Sequence, residues 1–440
     1  MDNNEVLKQV KVDRVQFVEL WFVDILGQLK TVTITTDELE KAFDEGIGFD
    51  GSSIEGFARI YESDLVLKPE PDTYLVLPWS KLPTVRFFCS IYTPEGKFYD
   101  GDSRYALKRY LEKIKENGYT MNVGPELEYF YFKTPENPGL IDQSTYFDFI
   151  PADIGSQVRN ETVSLCAKMG MKVEAAHHEV APSQHEIDVR YADALKMADM
   201  MVTLKVLIKQ VAAEHGIYAT FMPKPLFGHN GSGLHIHQSL FKDGKNAFFD
   251  EKDPNYLSSI AKSYTAGILK YIREITSICN QWVNSYKRLV PGFEAPVYIS
   301  WGRKNRSALV RVPIYKPGKE SASRIELRSP DPACNMYLAF TVILAAGYAG
   351  IDENLKLPEP VETDITDIYE MTAEEKAKNS IETLPGSLIE AIHETEKSKL
   401  VRDALGEHIF TKFIENKKIE WDKYRICVSQ YELENYFPVL

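Results

Sequence analysis

The 440-residue sequence predicts an α+β protein with a small N-terminal domain over residues 1–100 and a larger domain over residues 101–440. Before residue 100, apolar residues tend to alternate with polar ones at the two-residue period of strands. After residue 100, long stretches repeat apolar residues at the period of helices, with strands between them. A length of this size accommodates two to four domains at roughly 100–200 residues each.

The N-terminal domain is predicted to hold two hairpins around one short helix. Residues 15–22 and 30–35 form the first hairpin, with its turn at 26–28, and shorter strands follow near 74–77 and 84–91. Residues 35–38 have the pattern of a capping box, which predicts a short helix ending at Gly46.

The larger domain is predicted to contain four long helices, over residues 102–116, 193–216, 253–280 and 334–350. Asp102 or Ser103 caps the first of them, and Gly118 ends it. The methionine and leucine stripes of these helices are assigned to the core. An acidic, proline-containing segment over 352–380 is expected at the surface, and charged helices finish the chain.

Composition excludes several classes of function. The formal charge of -13 argues against nucleic acid and anionic membranes as partners, because both need basic surface. The 5 cysteines are scattered, as expected in a reducing compartment. The N-terminus has no signal pattern and the longest apolar stretch, 338–349, is too short to span a bilayer. We therefore predict a cytoplasmic enzyme.

Common nucleotide and hydrolase motifs are missing from the sequence. It contains no P-loop, no glycine-rich dinucleotide motif after a strand, no nucleophile elbow and no HExxH zinc motif. Any nucleotide chemistry must therefore use another kind of site.

Two pairs of glutamates are candidate metal ligands. Glu126 and Glu128 share one face of an aromatic-rich strand, and at 4 Å such a pair would cost about 4 kcal/mol if nothing compensated it. Glu179 and Glu186 flank a turn and could converge from two strands. A divalent cation would neutralise either pair, but a solvated strand face and a polar hairpin are the structural alternatives.

A glycine loop and a run of arginines are candidate anion-binding elements. The loop 230–233 can bring its backbone N–H groups close to an anion, and His235 and His237 share a face of the next strand. Arg324, Glu326 and Arg328 also share a strand face, and a buried row of such charges needs partners. Further arginines at 288, 306 and 311 suit polyphosphate and carboxylate, although any one of them alone could be a surface ion pair.

Combined, these residues predict a phosphoryl-transfer site. Oxygen-rich ligation favours Mg²⁺ or Mn²⁺ over zinc, and six ligands divide between two ions. The candidate ligands are Glu126, Glu128, Glu179, Glu186, His235 and Glu326.

At this point the sequence resembles type I glutamine synthetase over essentially its whole length. The resemblance rests on residues 49–53 with 62–64, on 224–239, and on 284–296, 305–311 and 324–332. It implies a β-grasp N-domain and a catalytic α+β domain whose curved antiparallel sheet forms a tapered pocket. It also implies a homododecamer of two hexameric rings with active sites between subunits, and allows a nitrogen-regulatory protein as a partner.

The resemblance implies a role for each candidate residue. Glu128, Glu179 and Glu186 would hold one metal ion, and Glu126, His235 and Glu326 the other, with two or more ions in each site. The remaining implied roles are as follows: Asn230, Gly231, Arg288 and Arg328 bind glutamate; Glu174, Tyr191, His237, Ser239 and Arg324 contact ATP; Arg306 and Arg311 face the transferring phosphoryl group; Asp50 and Glu294 serve catalysis.

The implied reaction is the ATP-dependent ligation of ammonium to L-glutamate through a γ-glutamyl phosphate. Asp50 of a neighbouring subunit would bind ammonium and accept its proton, while Glu294 lies on a loop that closes over the site. The sequence around Tyr369 lacks the basic residues expected for adenylylation and favours the shorter subgroup, in which Arg59 would mediate feedback inhibition by glutamine.

Two other functions are compatible with the sequence. A related ligase could join glutamate to a larger amine, although Asp50 and Glu294 favour ammonium because an anionic pocket of that size would crowd an alkyl group. A catalytically silent scaffold is the second alternative, and the presence of all six candidate metal ligands argues against it.

Overall fold

The computed structural model describes residues 1–56, 64–136, 138–149, 153–305, 308–314, 317–361 and 382–440. Arg59, Arg306 and Tyr369 lie outside these residues. The described α-helices are α1 (Asn3–Val12), α2 (Leu39–Asp44), α3 (Ser103–Glu116), α4 (Ile154–Lys168), α5 (Ala194–Glu214), α6 (Ser259–Cys279), α7 (Ser285–Arg288), α8 (Met336–Asp352), α9 (Leu388–Lys397), α10 (Lys399–Leu405), α11 (Glu407–Arg425) and α12 (Gln430–Asn435).

Sixteen strands of the described residues form two sheets. They are β1 (Phe17–Val23), β2 (Leu29–Thr35), β3 (Ile47–Asp50), β4 (Asp64–Pro69), β5 (Leu75–Val76), β6 (Thr84–Tyr92), β7 (Tyr119–Phe132), β8 (Val173–His178), β9 (Gln184–Val189), β10 (Ala192–Asp193), β11 (Tyr218–Thr220), β12 (Leu234–Lys242), β13 (Lys245–Asn246), β14 (Trp301–Gly302), β15 (Val310–Arg311) and β16 (Ile325–Leu327).

The first sheet has the order β2-β1-β6-β4-β3, with β5 added beside β6. The predicted hairpins are confirmed as β1–β2 and β5–β6, and β1 also pairs parallel to β6. The capping box predicted at residue 35 is wrong, because no side chain caps the 3₁₀ turn Thr36–Glu38. A genuine capping box between Asp2 and Glu5 starts α1, a helix that was not predicted.

The second sheet has the order β14-β15-β16-β12-β7-β9-β8. All of its neighbouring strands are antiparallel except β14 and β15. The longest strand, β7, pairs with β12 on one side and with β9 on the other. The register of these strands aligns polar side chains on one face of the sheet, where the candidate site lies.

Helices α3, α5, α6 and α8 cover the second sheet with apolar side chains and form the main core. Helix α8 is almost wholly buried, and its close approach to α6 depends on two facing glycines. A Cβ on Gly267 would lie 2.3 Å from the Ala346 carbonyl oxygen and 2.7 Å from the Gly350 Cα. Only residues without a side chain allow the helix axes this close.

The helix predictions hold, with two differences. Helix α6 begins at Ser259 and not near 253, because the Asp253 side chain accepts hydrogen bonds from the N–H groups of Asn255 and Leu257 and so fixes a turn. Helix α4 was not predicted. In the described ranges, no helix combines the length and apolar character needed to cross a membrane.

The β1–β2 turn docks the first sheet onto the start of α8. The Asn335 side-chain amide donates to the carbonyl oxygens of Asp24 and Ile25, and Gln281 donates to that of Leu26. Gly27 has a φ of 81°, and a Cβ there would lie 2.9 Å from the Asn335 Cα. The turn is therefore held tightly by buried amide hydrogen bonds.

Candidate active site

Strand register brings the acidic side chains together. On β7, Glu126 lies opposite His235 of β12 and Asp188 of β9, while Glu128 lies opposite Glu186. Because directly opposed residues have Cβ atoms about 4.5–5.5 Å apart, each pairing places two polar side chains in contact range. The same face continues to β16, where Glu326 lies opposite His237.

The first cluster consists of Glu128, Glu179 and Glu186, and His177 lies beside the last two. The turn at 182–183 folds β8 onto β9, as predicted, with Ser183 at a φ of 63°. His177 Nε2 lies 3.3 Å from a Glu186 oxygen, and its Nδ1 lies 3.8 Å from a Glu179 oxygen. Burial, followed by the charge of Glu128, raises the pKa of Glu179 to about 8 and the pKa of Glu186 well above its usual value.

The second cluster consists of Glu126, His235, His237 and Glu326. The two Glu126 oxygens lie 2.8 Å from His235 Nδ1 and 2.7 Å from His237 Nε2. His235 Nδ1 is also 3.7 Å from a Glu326 oxygen. Burial acts to raise the pKa of Glu126, but the hydrogen bonds from both histidines outweigh burial and lower that pKa.

Glu326 is a fully buried carboxylate held by arginines. Its oxygens form ion pairs with Arg328 NH1 and, at 2.6 Å, with Arg311 Nε. Burial opposes ionisation, yet the charges of Arg328 and both histidines lower the pKa of Glu326. The predicted buried row of three charges is only partly right, because Arg324 is exposed and donates from Nε to His237 Nδ1.

Asp188, which was not among the predicted site residues, joins the two clusters. Its Oδ1 is buried and lacks a hydrogen-bond partner among the described residues. Asp188, His177 and Glu186 can bring one ligand atom each within 4.8 Å of one another, as can Glu126, His237 and Glu326. The signal was available, since Asp188 follows Glu186 by two positions and shares its strand face.

The donor set in both clusters fits hard divalent cations. Carboxylates predominate over imidazoles, burial and then the charge of Glu128 raise the pKa values of Glu179 and Glu186, and one buried carboxylate oxygen has no described partner. Such groups are the usual ligands of Mg²⁺ and Mn²⁺.

The glycine loop ahead of β12 lies against the first cluster. The N–H of Gly233 donates to Glu128 Oε2 at 2.9 Å. The Gln184 side-chain amide donates to the same oxygen and to the Gly231 carbonyl, both at 3.1 Å. A Cβ on Gly231 would lie 2.2 Å from the Pro223 carbonyl oxygen, so only glycine permits this path. Gln184, also missed, therefore fixes the loop relative to the carboxylates.

Two adjoining cavities share Glu126 and Asp188 on their walls. The larger, of about 500 Å³, contains every predicted metal ligand except the buried Glu326. It is also lined by the four predicted glutamate-binding residues, Asn230, Gly231, Arg288 and Arg328. Two further wall residues are Glu294, predicted to serve catalysis, and Arg311, predicted to face the transferring phosphoryl group. The smaller, of about 170 Å³, contains the five residues predicted to contact ATP: Glu174, Tyr191, His237, Ser239 and Arg324.

Not every predicted residue lies at these cavities. Asp50 lies at the end of β3, is exposed, accepts a hydrogen bond from the N–H of Ser52, and lines neither cavity of its own chain.

Arg288 directs its terminal nitrogens to the carbonyl oxygens of residues 328–330. Glu294 has a φ of 55° and accepts a hydrogen bond from the Asn230 amide at 3.2 Å.

Comparisons with known proteins agree with this geometry. The family model "Glutamine synthetase, catalytic domain" matches residues 100–436, and "Glutamine synthetase, beta-Grasp domain" matches residues 14–94. The chain is 47% identical to the glutamine synthetase of Clostridium saccharobutylicum over 438 residues, covering 98% of both chains. It is 48% identical to that of Thermotoga maritima over 439 residues, covering 98% of this chain and 99% of the relative.

Solved structures give the same result at lower identity. A structure of GmaS without ligand superposes with a TM-score of 0.89 at 28% identity and covers 98% of this chain and 99% of the other. A cryo-EM structure of Plasmodium falciparum glutamine synthetase has a TM-score of 0.88 at 27% identity and covers 99% of each chain. The family models, the curated relatives, the two observed sheets and the two adjoining cavities all lead to one conclusion: the chain belongs to the glutamine synthetase family.

Proposed function

We propose that this chain ligates ammonia to the side chain of L-glutamate, using ATP and releasing ADP and phosphate. The observation that supports this most strongly is the pair of adjoining cavities, one rich in carboxylates and arginines and the other containing the residues proposed for ATP. Its test is glutamine formation with Mg²⁺, ATP, glutamate and ammonium. Faster phosphate release with putrescine than with ammonium would favour the ligase for larger amines and contradict this proposal.

The two steps of the proposed ligation explain why both cavities are needed. A carboxylate is a poor acyl donor because its oxygen is a poor leaving group. Transfer of the γ-phosphoryl group of ATP to the glutamate side chain gives γ-glutamyl phosphate and ADP, after which the ammonia nitrogen attacks the carbonyl carbon and phosphate leaves. The two cavities share a wall, so a nucleotide in the smaller could reach glutamate in the larger.

We assign two divalent cations to the clusters. Glu128, Glu179 and Glu186 would hold one ion, and Glu126, His235 and Glu326 the other. Bound there, Mg²⁺ or Mn²⁺ would offset negative charge on the phosphates during transfer. The proposal is tested by Mn²⁺ binding to the wild type and to Glu128→Gln, measured by electron paramagnetic resonance, and equal binding by both would contradict it.

The chain's own residues would orient glutamate and exclude water. Asn230 and Gly231 line the larger cavity beside Arg328, which is paired with Glu326, and this supports the binding of an anionic substrate at that end. Glu294 contacts Asn230, so its loop already touches the substrate loop and is suited to close over it. A phosphoryl-facing role for Arg306 rests on the sequence alone.

We further propose that active sites form between subunits of a dodecamer of two hexameric rings. Two observations support an oligomer. Asp50 is exposed and lines neither cavity of its own chain, and the C-terminal segment 426–440 exposes several large apolar side chains. Those more than 60% exposed are Ile426, Val428, Tyr431, Phe437, Val439 and Leu440.

Complementation tests the shared site. Co-expression of Asp50→Asn chains with Glu326→Gln chains should restore about a quarter of wild-type activity, because random mixing leaves one site in four with both residues intact. Each variant alone should be inactive. Absence of recovery in mixed oligomers would contradict a site built by two subunits.

Regulation and location are proposed from sequence alone. We assign the chain to the shorter subgroup that is not adenylylated, with Arg59 mediating inhibition by glutamine, and an unchanged inhibition curve in Arg59→Ala would contradict this. A cytoplasmic location and binding of a nitrogen-regulatory protein remain predictions. We place the domain boundary at residue 100, between the end of β6 at Tyr92 and the start of α3 at Ser103.

A further inference from the structure

A third cavity, of about 490 Å³, lies where the β1–β2 turn meets the second sheet and its helices. Its walls come from that turn, from α5, from residues following β11 and from the segments 282–284 and 333–336. It shares no lining residue with the two cavities of the candidate active site. A volume of this size accommodates a small organic molecule.

Most of this cavity is apolar. The main apolar side chains on its walls are Val202 and Val206 of α5, Phe221 and Met222 after β11, and Trp282. The Trp282 indole N–H donates to the Ala333 carbonyl oxygen at 2.9 Å, which fixes the ring. Flat and branched walls of this kind favour a ligand with an aromatic or similarly bulky apolar body.

One wall is cationic. Lys205 and Lys209 are four residues apart on α5 and so lie on one face, with their Nζ atoms 5.1 and 5.7 Å from the Phe221 ring centroid. Lys205 Nζ donates to the Pro332 carbonyl oxygen at 2.7 Å. Neither ammonium forms an ion pair within the part of the chain that the structure describes. Burial lowers the pKa of Lys205 to about 8, which a bound anion would oppose.

Among the described residues, the cavity wall has one carboxylate, Glu420, and it is already paired. Glu420 lies 2.8 Å from Lys417 Nζ and accepts a hydrogen bond from the N–H of Val283 at 3.0 Å. It therefore does not neutralise the two lysines of α5. We propose that this cavity binds a small organic carboxylate, with its apolar body against Phe221 and Trp282 and its anionic end at Lys205 and Lys209.

A ligand in this cavity would touch the support of the substrate loop. Pro223, on its wall, accepts a hydrogen bond from the N–H of Ser232 at 2.8 Å. Asn284, also on its wall, bonds both backbone groups of Lys224 and directly precedes α7, the helix that ends at Arg288. Occupancy should therefore alter the KM for glutamate more than kcat, an expectation that rests on the proposed function.

Direct binding tests the site without relying on catalysis. The probe is 3-phenylpropionate, titrated calorimetrically into the full oligomer beside its amide and 3-phenylpropylamine, which have the same apolar body. We expect the carboxylate to bind best and the amine worst. In the double variant Lys205→Met, Lys209→Met, its affinity should fall about tenfold or more, whereas the exposed control Lys115→Met should bind as the wild type does.

Further measurements distinguish an error in this proposal from a variant that folds poorly and from an error in the proposed function. Val206→Trp fills the cavity and should abolish binding even if the double lysine variant folds poorly. Equal binding of acid and amide, undiminished binding to Val206→Trp, or complete exclusion of the probe by saturating glutamate or ATP would overturn the proposal. A wild type that binds the probe yet forms no glutamine would contradict the proposed function and leave this site intact.

Discussion

Replacing Glu179 by Gln should stabilise the ion-free protein at alkaline pH, although it removes a proposed metal ligand. Burial and then the charge of Glu128 raise the pKa of Glu179 to about 8, from 4.5 for the free side chain. Between these values the folded protein retains a proton that the unfolded chain has released. Raising the pH through this window therefore lowers the free energy of unfolding, and glutamine at this position removes that loss.

The size of the effect follows from the same pKa difference. At about 1.4 kcal/mol for each tenfold change in proton affinity, the full difference corresponds to about 5 kcal/mol. Because the pKa of the neighbouring Glu186 is also raised and both carboxylates lie beside His177, their protonation is linked, and we expect about 2–3 kcal/mol to be measurable. Urea unfolding with EDTA at about pH 5 and about pH 8.5 should show near-equal stabilities at the lower pH and a more stable Glu179→Gln at the higher one.

Added Mn²⁺ should make the wild type more stable than Glu179→Gln, since the ion stabilises only the protein that binds it. Glu116→Gln, an exposed substitution at the end of α3, is the matched control and should follow the wild type at both pH values. Two results would refute the reasoning: a stability difference that does not grow with pH, or equal stabilisation of Glu179→Gln and wild type by Mn²⁺.

Substitutions at three further residues test other parts of the structure. Glu326→Gln should abolish glutamine formation in a folded protein, whereas Glu326→Ala should also cost about 3–5 kcal/mol in urea unfolding, because the buried Arg328 and the partly buried Arg311 lose their anion. Gln184→Leu removes the donor shared by Glu128 and the Gly231 carbonyl, and should weaken Mn²⁺ binding about tenfold or more and raise the KM for glutamate. Arg104→Met leaves Asp199 buried without its bidentate partner and should cost about 3–5 kcal/mol in unfolding while leaving the kcat of folded protein unchanged.

Periodicity predicted the elements with strong amphipathic patterns and missed those defined by local hydrogen bonds. The hairpin β1–β2 and the helices α3, α5 and α8 follow from apolar spacing. Helix α1 begins at a capping box, and its buried residues are only Val6 and Val10, too few for a clear apolar stripe. The start of α6 depends on the turn fixed by Asp253, which competes with helix formation.

Sequence spacing identified the acidic pairs, but not which strands face one another. The pairs Glu126 with Glu128 and Glu179 with Glu186 follow from two-residue alternation and from a turn. Register between distant strands is set by the packing of the whole sheet, so the approach of β9 to β7, which brings Asp188 to Glu126, could not be read from spacing. The role of Gln184 likewise depends on a loop forty-odd residues away in sequence.

The sheet holds the carboxylates of the site close together, and this affects the stability of the fold. Strands β7, β9 and β12 are fixed by a core of α5, α6 and α8 that is apolar on the side away from the site, so the acidic side chains cannot separate to relieve their repulsion. At the first cluster, burial and then the charge of Glu128 disfavour the ionised forms of Glu179 and Glu186 without cations, as their raised pKa values indicate. At the second cluster Arg311, Arg328 and two histidines already balance Glu126 and Glu326. Divalent cations should therefore stabilise the fold chiefly through the first cluster, and substitutions there should remove more of the Mn²⁺-dependent stability than substitutions at the second.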